Sequence, residues 1–219
     1  MPRLLFEKTG NAIWISHLDL MRLFQRAFKR ANLPLTHTQG FNPRPSVSIA
    51  LPLSVGVESK CELLDFDLDG CSVSCAEIRD KLNAALVDGI RVMEVYEYGS
   101  KLKNLSLLDC CVELEYDSGI REETQARIEA LFARPQLIVE KKGKNGITDQ
   151  DLIPMIRRLA VTKKDDNTLV LQALVCCQNP TLNPMQLIVA IERYLPDDKP
   201  DFAKCRRNEI YDTEEKIFR

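Results

Sequence analysis

The residues with the most chemistry to offer sit in the run His37-Thr38-Gln39-Gly40-Phe41-Asn42-Pro43-Arg44-Pro45. Gly40 can take a positive φ, and Pro43 and Pro45 restrict both themselves and the residues before them. Phe41, Asn42 and Arg44 are therefore displayed at low entropic cost. An aromatic ring stacks on an unpaired base, an amide reads a base edge and a guanidinium grips a phosphate, the set used to bind single-stranded RNA. The competing reading tucks Phe41 under the loop as a small local core and sets Arg44 against a sheet edge.

A second group precedes this loop at helical spacing. Leu20, Leu23, Phe24, Ala27, Phe28 and Ala31 recur every three or four residues and define a buried stripe, which leaves Arg22, Arg26, Lys29 and Arg30 on the opposite side. A face of one sign suits phosphate, although charged residues also cover the wet side of ordinary amphipathic helices. From Met1 to Lys60 there are eight Lys/Arg against three Asp/Glu, and the remainder carries twenty-two against twenty-nine, so the net charge of −2 is a +5 segment joined to a −7 one. With Arg3, Lys8 and Arg44, the stripe is expected to form a field that attracts an anionic partner at the N-terminal end.

Two histidines are present, His17 beside Asp19 at the helix start and His37 beside the loop. Imidazole titrates near neutrality, so either can in principle act as general base in metal-independent RNA cleavage, though each is more simply a structural histidine. The sequence contains no Walker A motif, GxGxxG, HExxH or GxSxG, so the expectation is a binding protein rather than an enzyme. No catalytic residue, metal or cofactor is assigned.

The eight cysteines, Cys61, Cys71, Cys75, Cys110, Cys111, Cys176, Cys177 and Cys205, include no CxxC. In a chain of 219 residues with an ordinary core they read as thiols, mostly small buried hydrophobes, rather than a disulfide framework. Cys71 and Cys75 can share a helix face, but two ligands do not close a metal site. No apolar run reaches the length of a membrane helix and the start MPRLLFEKTG lacks a long apolar stretch, so the expected location is the cytoplasm.

The elements that position these groups follow from periodicity. A strand is expected over Arg3 to Lys8, a short extended piece around Ile13 to Ile15, and a helix capped by Ser16 and Asp19 that Asn32 and Pro34 end. Strands follow near Leu35 to Thr38, Ser46 to Leu53 and Cys61 to Leu68. A helix capped by Ser72 then runs to about Val87, and Ile90 to Tyr98 is a strand. This order, β-α-β-β-α-β with one strand added, points to a ferredoxin-like α+β sheet. Past a joint from Gly99 to Asn104 the order recurs, with strands at Leu105 to Tyr116, Gln136 to Lys141, Thr168 to Cys177 and Cys205 to Tyr211. Helices are expected at Glu122 to Phe132 and Pro184 to Tyr194, with a basic turn at Lys141 to Gly146 and an ambiguous stretch at Asp149 to Leu159. The expectation is tandem ferredoxin-like halves, residues 1–100 and 101–219, with mainly antiparallel sheets. The basic end of the last strand, Lys204, Arg206 and Arg207, reads as an edge device or an extension of the cationic surface.

The run ISHLDLMRLFQRAFKRANLPLTHTQGFNPRPSVSIALPLSVGVES, preceded by RLLFEKTG, resembles the N-terminal signature of the uncharacterised radical SAM-linked protein family. CELLDFDL and the terminal RRNEIY resemble that family more weakly. The resemblance implies association with a radical SAM protein encoded nearby. It carries over as candidates the motif positions His17, Asp19, Arg22, Arg26, Gly40, Phe41, Asn42, Pro43 and Arg44. The CxxxCxxC motif of the radical enzyme is absent, since residue 78 after Cys71 and Cys75 is Ile. The leading expectation is a non-enzymatic accessory protein that presents a substrate, RNA foremost, to that enzyme. Protein docking without nucleic acid and metal-independent RNA cleavage are the alternatives.

Overall fold

A computed structural model describes residues 1–70, 73–143 and 146–219. The chain divides into two compact units, Met1–Asn104 with Phe218–Arg219, and Leu105–Ile217. Both are α+β, every described strand pairing within them is antiparallel, and the described chain holds four α-helices. No described helix is long and apolar enough to cross a membrane.

The first unit runs β1 (Arg3–Lys8), α1 (His17–Arg30), β2 (Val47–Ile49), β3 (Glu58–Phe66), α2 (Cys75–Ala85) and β4 (Ile90–Tyr96), with sheet order β4-β1-β3-β2. Alternation along the strands sends Leu4, Phe6, Leu64 and Phe66 to one face, where they meet Leu20, Phe24, Ala27 and Phe28 of α1 and Ile78 and Leu82 of α2. Phe6 packs edge-on against Phe24 at 4.8 Å between centroids, and Phe28 lies tilted against Phe66 at 5.1 Å. Each such buried ring contributes about 1.5–3 kcal/mol relative to exposure. These contacts fix α1 on the sheet and so decide which of its faces is outward.

Four local expectations are corrected here. Ile13 and its neighbours form a 3₁₀ turn over Gly10–Trp14, not an extended piece. Leu35 to Thr38 makes only isolated bridges, Leu35 with Leu68 and His37 with Pro45. β2 is three residues long rather than eight, because Pro45 and Pro52 on either side lack the N–H that a ladder needs. The cap of α2 is Ser74, whose hydroxyl accepts from the Glu77 amide at 3.2 Å; Cys71 and Ser72 lie outside the described residues.

The second unit runs β5 (Leu105–Glu115), α3 (Thr124–Phe132), β6 (Ile138–Gly143), β7 (Gly146–Asp151), β8 (Ile156–Lys163), β9 (Thr168–Cys176), α4 (Met185–Tyr194) and β10 (Phe202–Asp212). Its main sheet has the order β10-β5-β9-β8, and β6 and β7 pair with each other as a separate ribbon. The strand expected at Gln136 to Lys141 thus belongs to the ribbon, and β8 takes its place in the sheet. The ambiguous stretch holds the end of β7, a 3₁₀ turn at Ile153–Met155 and the start of β8. Of the basic turn, residues 144 and 145 lie outside the described chain.

An edge strand of each unit is shielded by an amide. Asn83 on α2 donates to the Val92 carbonyl at 2.9 Å and accepts the Val92 N–H at 2.8 Å on β4, and Gln125 on α3 donates to the Val161 carbonyl of β8 at 3.2 Å. These side chains occupy backbone groups that would otherwise template another strand.

Candidate functional site

α1 is held at both ends. The Ser16 hydroxyl accepts from the Asp19 amide at 3.2 Å and donates to the Asp19 carboxylate at 2.7 Å. Arg22 donates to the other carboxylate oxygen at 2.9 Å. The bond from Ser16, then that from Arg22, pulls the Asp19 carboxyl below its ordinary pKa. At the other end Asn32 takes φ +52°, its N–H reaches the Lys29 carbonyl at 3.2 Å and the Leu33 N–H reaches the Phe28 carbonyl at 3.0 Å. That pair of bonds is a Schellman closure, which reverses the chain and sends Leu33 to His37 back beside the helix.

The outward face of α1 presents Arg22, Arg26, Lys29 and Arg30, all exposed. They differ in what they have left to offer. Arg22 is paired with Asp19, and Arg30 donates to the Ala85 carbonyl at 2.6 Å. Arg26 and Lys29 have no partner among the described residues, and neither does Arg44.

The loop after α1 is closed by its backbone. Thr36 donates to the Asp67 carbonyl at 3.0 Å, Ser46 to the Thr36 carbonyl at 2.8 Å and Thr38 to the Arg44 carbonyl at 2.8 Å. The Arg44 amide donates to the Thr38 hydroxyl at 3.0 Å. Above this stem every residue from Gln39 to Pro43 is exposed, Gly40 takes φ +134° and Phe41 is 106% exposed. A tip with a fully exposed ring is the displayed form and excludes the tucked one. Asn42 is exposed beside it and bonds to nothing described.

Between α1 and the loop stem lies a groove of about 320 Å³. Phe28, Leu33, Pro34, Leu35 and Pro45 make it apolar, and Gln25, Lys29 and His37 add polar groups. It therefore joins Lys29 and His37, two residues singled out separately in the sequence. Arg22, Arg26 and Phe41 do not line it. Leu33 to Leu35 and Pro45 carried no chemical signal of their own, and only the left-handed turn at Asn32 explains how they come to face the helix.

Arg3 and Lys8 do not belong to the outward field, contrary to expectation. Arg3 is 2% exposed and makes a two-pronged pair with Asp65 at 2.6 and 3.0 Å; it also donates to the Ser100 carbonyl at 2.9 Å and lies over the Phe218 ring. Lys8 is 1% exposed and donates to the carbonyls of Ile13 and Ile15 at 3.0 and 2.8 Å. Both cations are consumed by the architecture. In the second unit Lys204 pairs with Glu115, and Arg206 donates to Asn208 at 3.0 Å.

His17 is half-buried with its Nδ1 unbonded, and no hydrogen bond among the described residues orients His37. Among the described residues no three His, Cys, Asp or Glu side chains are placed to hold a metal ion. The seven described cysteines are thiols, not joined in disulfides. Burial raises the Cys110 thiol pKa and pushes those of Cys177 and Cys205 up to about 12.

The profile of a family described as "Uncharacterized protein conserved in bacteria (DUF2344)" matches residues 2–184, and the chain belongs to that family. No curated protein sequence matches it. Among solved structures, a chain in a Cbf5-Nop10-Gar1 complex is similar with a TM-score of 0.51 at 8% identity, over 95% of this chain and 48% of that one. This chain thus spans about half the length of that relative, and at such identity the likeness concerns the fold alone. An unknown protein from Galdieria sulphuraria aligns over 94% of this chain and 96% of its own at 11% identity, with a TM-score of 0.26.

Proposed function

We propose that this member of the uncharacterised bacterial family is a cytoplasmic RNA-binding accessory protein. Its first unit presents single-stranded RNA to a radical SAM enzyme encoded nearby. Each unit is a ferredoxin-like half, a reading supported by sheet orders in which the strands, taken in chain order within the sheet, run fourth, first, third, second. The partner enzyme follows from the resemblance of the SHLDLMR and GFNPRP motifs to the radical SAM-linked family.

The observation that carries the RNA reading is Phe41, 106% exposed on a backbone-closed loop in the unit that also offers Arg26, Lys29 and Arg44 without acidic partners. An exposed ring costs free energy in water and gains it by stacking on a base. Three unneutralised cations then give a log K that falls with log salt at a slope of about −2 on single strands. Mobility shifts of labelled single-stranded RNA at several salt concentrations test this. Binding that Phe41→Ala weakens and that salt reduces supports it, and no binding at low salt removes RNA from the reading.

A second reading, docking of the radical SAM protein without RNA, is favoured by Trp14 at the end of the 3₁₀ turn and Leu18 in the first turn of α1, which are 64% and 67% exposed. Co-purification separates the two. A complex lost with Trp14→Glu yet indifferent to nuclease treatment and to Phe41→Ala supports docking.

A further inference from the structure

We infer that the groove between α1 and the loop stem is a nucleobase pocket, taking one unstacked base of a single-stranded RNA while Lys29 meets the adjacent phosphate. The inference rests on the RNA reading above and adds which part of the nucleic acid is read, and where.

At about 320 Å³ the groove stands at the small end of ligand cavities, room for one ring system rather than a larger ligand. Its floor is tightly packed: Phe28 is fully buried, Leu33 is 1% exposed and the Schellman turn at Asn32 sets the angle between the helix and the returning segment. Apolar walls of Leu35 and Pro45 suit the faces of a heterocycle. Gln25 supplies both a donor and an acceptor for its edge. His37 is exposed on the stem, where the bridge to Pro45 holds its backbone, and its ring offers a stacking surface.

Charge selects the occupant. Lys29 lines the groove without an acidic partner, and Arg26 lies one turn before it in the same state. A polyanion without rings would satisfy these cations and leave the apolar floor without a matching group. A nucleic acid supplies a phosphate and a planar ring with a polar edge in each repeat.

The test measures fluorescence anisotropy of the full chain with labelled decamers of uridine, cytidine and adenosine, and with an abasic decamer of equal charge. Gln25→Trp, which fills the groove at constant charge, is expected to weaken the base-bearing decamers at least tenfold with an unchanged salt slope. His37→Ala, at an exposed position, is expected to weaken them about fivefold or more. The abasic decamer is expected to bind all three proteins equally. If the normal chain binds RNA but both variants match it within twofold, or if the abasic decamer binds it as tightly, the pocket is wrong while RNA binding stands. If the normal chain binds no decamer, both readings fall. Polyglutamate that displaces the base-bearing decamers more strongly than the abasic decamer of equal charge does overturns the pocket in favour of a protein partner.

Discussion

Arg3 and Arg44 show how little a residue's type says about its use. Both are arginines in the basic segment, yet one is sealed against Asp65, the Ser100 carbonyl and Phe218 while the other stands in solvent at the foot of an exposed loop. Asp65→Ala is expected to destabilise the protein by about 3–5 kcal/mol, because it leaves a buried guanidinium without its carboxylate. Arg44→Ala is expected to change stability by under about 0.5 kcal/mol. Urea unfolding of the two variants checks the contrast, and equal midpoints would contradict it. Charge counting alone could not tell them apart. It showed that the first sixty residues are basic, whereas the cross-strand register of Arg3 with Asp65 decides which cations remain available.

At the scale of elements, α1 was the most legible part of the chain, since its apolar spacing, the Ser16 cap and the Asn32 stop all agree with the structure. Ser16→Ala is expected to cost about 1 kcal/mol through loss of the cap bond to the Asp19 amide. The loop that follows was legible in its display of Phe41. The groove beside it was not, because it depends on a turn that brings together residues with no shared period. The β6–β7 ribbon was misplaced for a related reason: an apolar start at Ile138 and Val139 looks like a sheet strand until the second candidate, β8, is seen to pair with β9. Asn83 carried no visible signal either, yet it occupies both backbone groups of Val92 on an edge strand. Asn83→Ala is expected to cost about 1–3 kcal/mol and to raise self-association, read by denaturant titration and by sedimentation. Unchanged stability with an unchanged monomer would contradict that role.

For the whole molecule, burial sets an alkaline limit. It pushes Tyr96 and Tyr116, as well as Cys177 and Cys205, up to about 12, above their ordinary values near 10 and 9. The folded chain holds these protons more tightly than the unfolded one, so their contribution is full below about pH 9 and is lost as pH rises toward 12. Thermal unfolding is expected to show a falling midpoint from pH 9 to 11, and a flat profile would contradict it. The same molecule-wide division of charge, buried in the β-sheet and free on α1 and its loop, underlies the functional account. Its most direct test is the salt dependence of single-stranded RNA binding by the unaltered chain and by the triple variant Arg26→Glu, Lys29→Glu, Arg44→Glu. The account predicts a slope of about −2 for the unaltered chain and no measurable binding for the variant at equal fold stability. Binding that is independent of salt, or the same in both proteins, would contradict it.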